Sequence, residues 1–168
     1  MNYIAALRAL VGNRPLILPG TSVLILDGDD RLLLIERVDT GGWGLPGGFM
    51  EPGESFEETG RREAREELGL DLGELSLLGV FSGAEYHYRY PNGDEVFNVT
   101  AAYLTAFPAG ARIVVDPGEA ARAVFFAPDE LPPEVISPER PIVEAYRRWL
   151  SNRGATWAGA TGYAGTAG

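Results

Sequence analysis

Glu63, Glu66 and Glu67 crowd three carboxylates into five residues. On a helix, residues four apart stand one above the other, so Glu63 and Glu67 share a face with Glu66 beside them. Like charges at that spacing destabilise a helix, and a divalent cation is the best compensation for them. The plainer alternative is a solvated acidic face laced with Arg61, Arg62 and Arg65. The surrounding residues decide between the two.

With no cysteine and a single histidine, His87, the chain cannot build a thiolate or multi-histidine zinc site, a cysteine nucleophile or a disulfide. Any metal must be held by oxygen, which favours magnesium, manganese or calcium. The formal net charge of -10 repels polyanions, and no basic stripe is interleaved with aromatics, so a nucleic-acid polymer is not the expected partner. Ile4, Leu7 and Val11 fall at helical spacing around Arg8, without the charged start and long apolar run of a signal peptide. No stretch approaches the roughly 18–20 apolar residues that span a bilayer. The expected compartment is the cytoplasm, with no membrane partner.

The acidic helix has clear bounds. Ser55 and Glu58 form a Ser-x-x-Glu capping box, and Gly69 supplies the stop. Phe56, Gly60, Ala64 and Leu68 recur every four residues, giving a narrow and partly small apolar face suited to close contact with a sheet. Upstream, the runs 23–26 and 32–35 flank Asp27-Gly28 and predict an antiparallel hairpin. The Gly-rich passage 41–48 then lets backbone approach a ligand or another segment. Downstream, strands are expected over 75–81, 85–90, 95–106 and 121–127, followed by a helix capped by Ser137 and running through Ile142, Val143, Tyr146 and Trp149. With 168 residues and 45% hydrophobic content, this predicts an α/β fold with a mixed β-sheet. Its parts are a helix and lead-in over 1–19, a main domain over 20–152 and a flexible Gly/Ala/Thr-rich tail over 153–168.

Gly48, Glu54, Arg62-Glu63, Glu66-Glu67, Gly69 and Leu70 stand in the register G-x5-E-x7-R-E-U-x-E-E-x-G-U, with Ala64 smaller than the usual aliphatic residue. This resembles the signature of the Nudix hydrolases. Seven fixed identities coincide by chance on the order of once in 10⁸ start points, which sets aside the solvated-face reading. The resemblance extends to the flanks, with Trp43-Gly44-Leu45-Pro46-Gly47 before the box and Phe125-Phe126 with Asp129-Glu130-Leu131-Pro132 after it. It implies a Nudix-like α/β/α sandwich over roughly 20–150.

The resemblance also implies roles. Glu63, Glu66 and Glu67 look like metal-binding acids, with the Gly48 carbonyl as a further ligand and Mg2+ or Mn2+ as the cofactor. Arg62 would orient the carboxylates, and Glu54 would brace the loop against the helix. Relatives take the water's proton with a box glutamate or with an acid on a later loop, so Glu63 and Glu67 lead and Glu119 follows, ahead of Asp116. The implied reaction is water attack on phosphorus, cleaving a phosphoanhydride bond of a nucleoside diphosphate linked to another group. A non-catalytic Nudix-fold nucleotide sensor or regulator is the alternative.

Substrate contacts are sought in Arg37, Trp43, Tyr86 and Tyr88. Arg37 could reach a phosphate. Trp43 could stack on a base or anchor its loop in the core. Tyr86 and Tyr88, as alternating strand aromatics, favour packing. The substrate is expected to be a small nucleotide derivative, and a homodimer stays open because many relatives pair through strands or helices.

Overall fold

In the computed structural model, which describes residues 3–153, the centre is one long strand, β1 (Leu16–Leu26). On one side it runs parallel to β7 (Glu95–Ala106), from Leu16 opposite Val96 to Leu26 opposite Ala106. On the other it meets β2 (Leu32–Arg37) at Leu26 and β4 (Gly47–Phe49) at Gly20–Ser22, both antiparallel. β2 carries β3 (Trp43–Gly44) and β8 (Ala120–Phe126), while β7 carries β5 (Ser76–Phe81) and β6 (His87–Arg89), all antiparallel. The sheet is therefore mixed.

Both faces of its centre are buried, which is why β1 and β2 read as continuous apolar runs. Val23, Ile25, Leu33 and Ile35 pack with Ala64 and Leu68 of helix α2 (Phe56–Leu68). Leu24, Leu26, Leu32 and Leu34 pack with Ile142, Val143 and Tyr146 of helix α3 (Arg140–Asn152). Helix, sheet and helix form the expected α/β/α sandwich. Helix α1 (Tyr3–Val11) buries none of its residues. Among the described residues, no helix is long and apolar enough to cross a membrane.

The caps of α2 are formed as the sequence predicts. Ser55 Oγ accepts from the Glu58 N–H at 3.2 Å, the Glu58 carboxylate accepts from the Ser55 N–H at 2.8 Å, and Gly69 ends the helix at φ 64°. A Cβ on Gly60 would stand 2.9 Å from Thr21 Cγ2 and 3.0 Å from Val23 Cγ2, so its absence lets α2 lie directly on β1.

Three expectations shift. β1 begins at Leu16 and runs through Pro19 instead of starting after it. The Pro19 carbonyl accepts from the Met50 N–H, so its missing N–H faces the frayed end of β4 and costs β7 no bond. The segment 85–90 is not one strand: a 3-10 turn at Ala84–Tyr86 follows Gly83 at φ 114°, and only His87–Arg89 pairs with β7. Ser137 does not cap α3, because a second 3-10 turn, Ser137–Glu139, intervenes and makes no side-chain cap. Residues 154–168, where the flexible tail is expected, lie outside the described residues.

Candidate metal and phosphate site

Arg62 organises the loop between β4 and α2. Its Nε donates to Glu54 Oε1 at 2.6 Å and its Nη2 to Glu54 Oε2 at 3.1 Å, the two-pronged pairing that a guanidinium fork makes with a carboxylate. The same side chain donates to the Phe49 carbonyl at 3.0 Å, to Glu63 Oε1 at 2.7 Å and to Glu66 Oε2 at 3.1 Å. Glu54 also accepts from the Glu51 N–H and from the Thr59 hydroxyl, each at 2.9 Å. The Arg62 bond, aided by these donors against partial burial, holds the Glu54 carboxyl down to about 2.

Glu67 is 2% exposed and accepts from the Gly47 N–H at 2.9 Å. Burial lifts its carboxyl to about 8, reinforced by the nearby Glu63 and Glu119 and opposed by the Gly47 N–H and Arg37. Glu63 is raised for the same primary reason, with Arg62 opposing. A Cβ on Gly48 would push the Glu63 carboxylate out of its position beside the loop, so glycine lets the two stand together. Glu66, half exposed, stands at the rim with Arg62.

Glu119 completes the group through a tight turn. Asp116 N–H donates to the Glu67 carbonyl at 3.0 Å, and the Asp116 carboxylate accepts from the Gly118 N–H at 2.8 Å. Asp116 is thereby spent on the turn, and Glu119 is aimed at the helix. One carboxylate oxygen from each of Glu63, Glu67 and Glu119 lies within 4.8 Å of the other two. The tight trio thus contains the later-loop acid, and Glu66 stands outside it.

These acids line a cavity of about 910 Å³. Of the proposed substrate contacts, Arg37 and Tyr88 line it and Trp43 and Tyr86 do not. The pairing of β2 with β8 shifts register between Glu36 and Arg37, and Arg37 pairs with both Asp39 oxygens at 3.0 Å. Trp43 is core: 8% exposed, it packs edge-on against Phe126 with ring centroids 4.9 Å apart. Tyr86 is core as well, turned inward by the 3-10 turn that replaces the expected strand.

Glu139 is a cavity residue that sequence reasoning missed. It accepts from the Leu45 N–H across 94 positions, and burial, opposed by that bond and by Arg37, lifts its carboxyl to about 7. Its only sequence signal is an acid in a Pro-rich turn, which says nothing of where α3 docks. Tyr90 lines the cavity too. So does Thr40, whose buried hydroxyl finds no hydrogen-bond partner among the described residues.

The family model for the NUDIX domain matches residues 17–146. An ADP-ribose pyrophosphatase of Methanocaldococcus jannaschii is 35% identical over 128 residues, which cover 74% of this chain and 70% of that protein. A putative 8-oxo-dGTP diphosphatase of Bacillus subtilis is 31% identical over 113 residues, 67% of this chain and 68% of that protein. The crystal structure of a MutT NUDIX hydrolase from Burkholderia pseudomallei superposes with a TM-score of 0.64 at 30% identity, covering 77% of this chain and 97% of that one. Signature, sandwich and relatives agree, and the chain belongs to the Nudix hydrolase family.

Proposed function

We propose that this chain hydrolyses a phosphoanhydride bond of a nucleoside diphosphate linked to another group, that it requires Mg2+ or Mn2+, and that residues 20–152 form the catalytic unit. The observation that carries this reading is the convergence of Glu63, Glu67 and Glu119 within 4.8 Å at the wall of one cavity. An all-oxygen donor set suits a hard divalent ion. Burial lifts Glu67 to about 8 despite Arg37, so the positive charge already near it falls short of what its carboxylate needs, and a cation supplies the rest. Glu63 and Glu67 would hold the ion, with Glu66 and the Gly48 carbonyl beside them and the Glu119 carboxylate facing it. Such an ion, when bound, neutralises phosphate charge and activates a water.

The remaining work falls to the chain itself. Arg62 fixes Glu63 and Glu54 in one geometry, so that the loop and helix act as a unit. The Gly47 N–H fixes one Glu67 oxygen. Glu119 is the exposed member of the trio and therefore the acid best placed to take a proton from an incoming water, while Glu63 and Glu67 serve as ligands. Arg37, held by Asp39 and electrostatically coupled to Glu67, faces the phosphates.

Purified protein with Mg2+ or Mn2+ should release product from at least one member of a panel of nucleoside triphosphates, nucleotide sugars, ADP-ribose and dinucleoside polyphosphates, and EDTA should stop it. Glu67→Gln should remove turnover by about 10²-fold or more while leaving the circular dichroism spectrum unchanged. Full activity in Glu67→Gln would reject the metal-site assignment. Binding without product in the wild-type protein would favour a nucleotide sensor.

A further inference from the structure

Helix α1 lies outside the stretch that the family model matches, and none of its nine residues is buried. A helix this short is marginal by itself, since isolated helices need about 12–15 residues. Polar clamps hold it at both ends. At its start, the Tyr3 N–H donates to both Glu51 carboxylate oxygens, at 3.3 and 3.2 Å, placing negative charge at the positive end of the helix dipole. Near its end, Arg8 donates to the Glu95 carbonyl at 2.7 Å and faces the Asp94 carboxylate at 3.5 Å. Arg8 also donates to the carbonyls of Gly12 and Arg14, at 3.0 and 2.6 Å.

These clamps join two rims of the cavity. Glu51 belongs to the loop that leads into the acidic helix. Asp94 and Glu95 belong to the β6–β7 hairpin, where the Tyr90 N–H donates to the Asp94 carbonyl at 2.8 Å. Ile4, Ala5 and Arg8 line the same cavity as Tyr88 and Tyr90, whose rings meet edge to face with centroids 4.9 Å apart.

We propose that α1 is a specificity wall: with Tyr88 and Tyr90 it encloses the nucleoside end of the substrate, and Arg8 is the positioning residue that keeps the wall in place. The chemistry favours a nucleoside over a further phosphate. Arg8 has its donors committed to carbonyls and a carboxylate, so the helix offers the aliphatic surface of Ile4 and Ala5 and no open cation. Tyrosine rings offer faces and edges to a planar base. The assignment of the nucleoside to this side rests on the acid trio being the hydrolytic end.

The test uses full-length variants and two readouts. Calorimetry measures ADP binding without added metal, and steady-state kinetics measures KM and kcat on the best substrate with Mg2+. Arg8→Ala and Ile4→Asp should each weaken ADP binding about tenfold and raise KM in proportion with kcat retained, the pattern of lost uniform binding. Arg8→Lys should recover part of the loss, because an ammonium cannot reproduce the fork. Leu10→Ala, at a side chain 84% exposed on α1, should match wild type. Unchanged ADP affinity and KM in Ile4→Asp, and in an Arg8→Ala protein whose α1 amides exchange faster, would overturn the proposal. So would a fall in kcat at constant KM, or failure of the wild type to bind ADP. A wild type that binds ADP yet hydrolyses nothing would sink the hydrolytic reading, while the ADP affinities still read the wall.

Discussion

Arg62 touches three carboxylates and one carbonyl, and its geometry matters more than its charge. The guanidinium spans Glu54, Glu63 and Glu66 because its donors lie in a rigid planar fork, whereas a lysine presents one compact charge. Arg62→Lys keeps the net charge and loses the two-pronged bond to Glu54. It should weaken Mg2+ or Mn2+ affinity by about 10–100-fold, the usual cost of disturbing the groups that orient metal ligands. Titration calorimetry on the variant reads this directly, and wild-type affinity would show that Arg62 is only a surface partner. The clustering of Glu63, Glu66 and Glu67 was legible in the sequence because their spacing is local and one helix fixes which of them share a face, whereas the roles of Arg62 and Glu54 came through the resemblance. Glu119 was legible only through the resemblance. Glu139 was not legible at all, since its contact with Leu45 is made by an element docking from the far end of the chain.

At the scale of elements, α2 is positioned by contact with β1 as much as by its own caps. Gly60→Ala should gain about 1 kcal/mol of helix propensity. The added methyl, however, would stand 2.9 and 3.0 Å from the β-branched Thr21 and Val23, which are stiff and sit in the central strand. Overpacking of that kind costs about 1–3 kcal/mol, so the net effect should be a lower Tm. Because α2 carries Glu63 and Glu67, activity should fall with it. A Gly60→Ala protein more stable than wild type would mean that the helix can move outward without cost. The elements themselves show what a sequence reveals. The capping box, the Asp-Gly hairpin and the doubly buried strands carry local or periodic signals. The breaking of 85–90 into a 3-10 turn and a short strand has none, because it is decided by Tyr86 entering the core and by Asn98 Nδ2 donating to the Tyr86 carbonyl at 2.8 Å. That difference explains why Tyr88 reaches the cavity and Tyr86 does not.

For the whole molecule, the carboxylates set how stability depends on pH when no metal is bound. Glu67 is raised from 4.5 to about 8 in the folded chain, and Glu139 from 4.5 to about 7. Between 4.5 and these values the folded state keeps protons that the unfolded chain has released, so stability falls as pH rises through this window. Glu54 acts in the opposite sense. Its folded value of about 2 lies below 4.5, so its contribution is present above 4.5 and is lost as pH falls through about 2. The metal-free protein should therefore be most stable near pH ~5 and should lose Tm steadily towards pH ~8. A divalent ion at the acid trio needs the deprotonated carboxylates, so Mg2+ should raise Tm more at pH ~8 than at pH ~5. Glu67→Gln removes the strongest contributor to the alkaline decline, and it should flatten the metal-free profile while abolishing most of the Mg2+ effect. Thermal melts of both proteins across this range, with EDTA and with Mg2+, provide the comparison. A metal-free Tm that climbs from pH ~5 to ~8, or an Mg2+ shift equal in wild type and Glu67→Gln, would show that the buried glutamate is not what couples this fold to a cation.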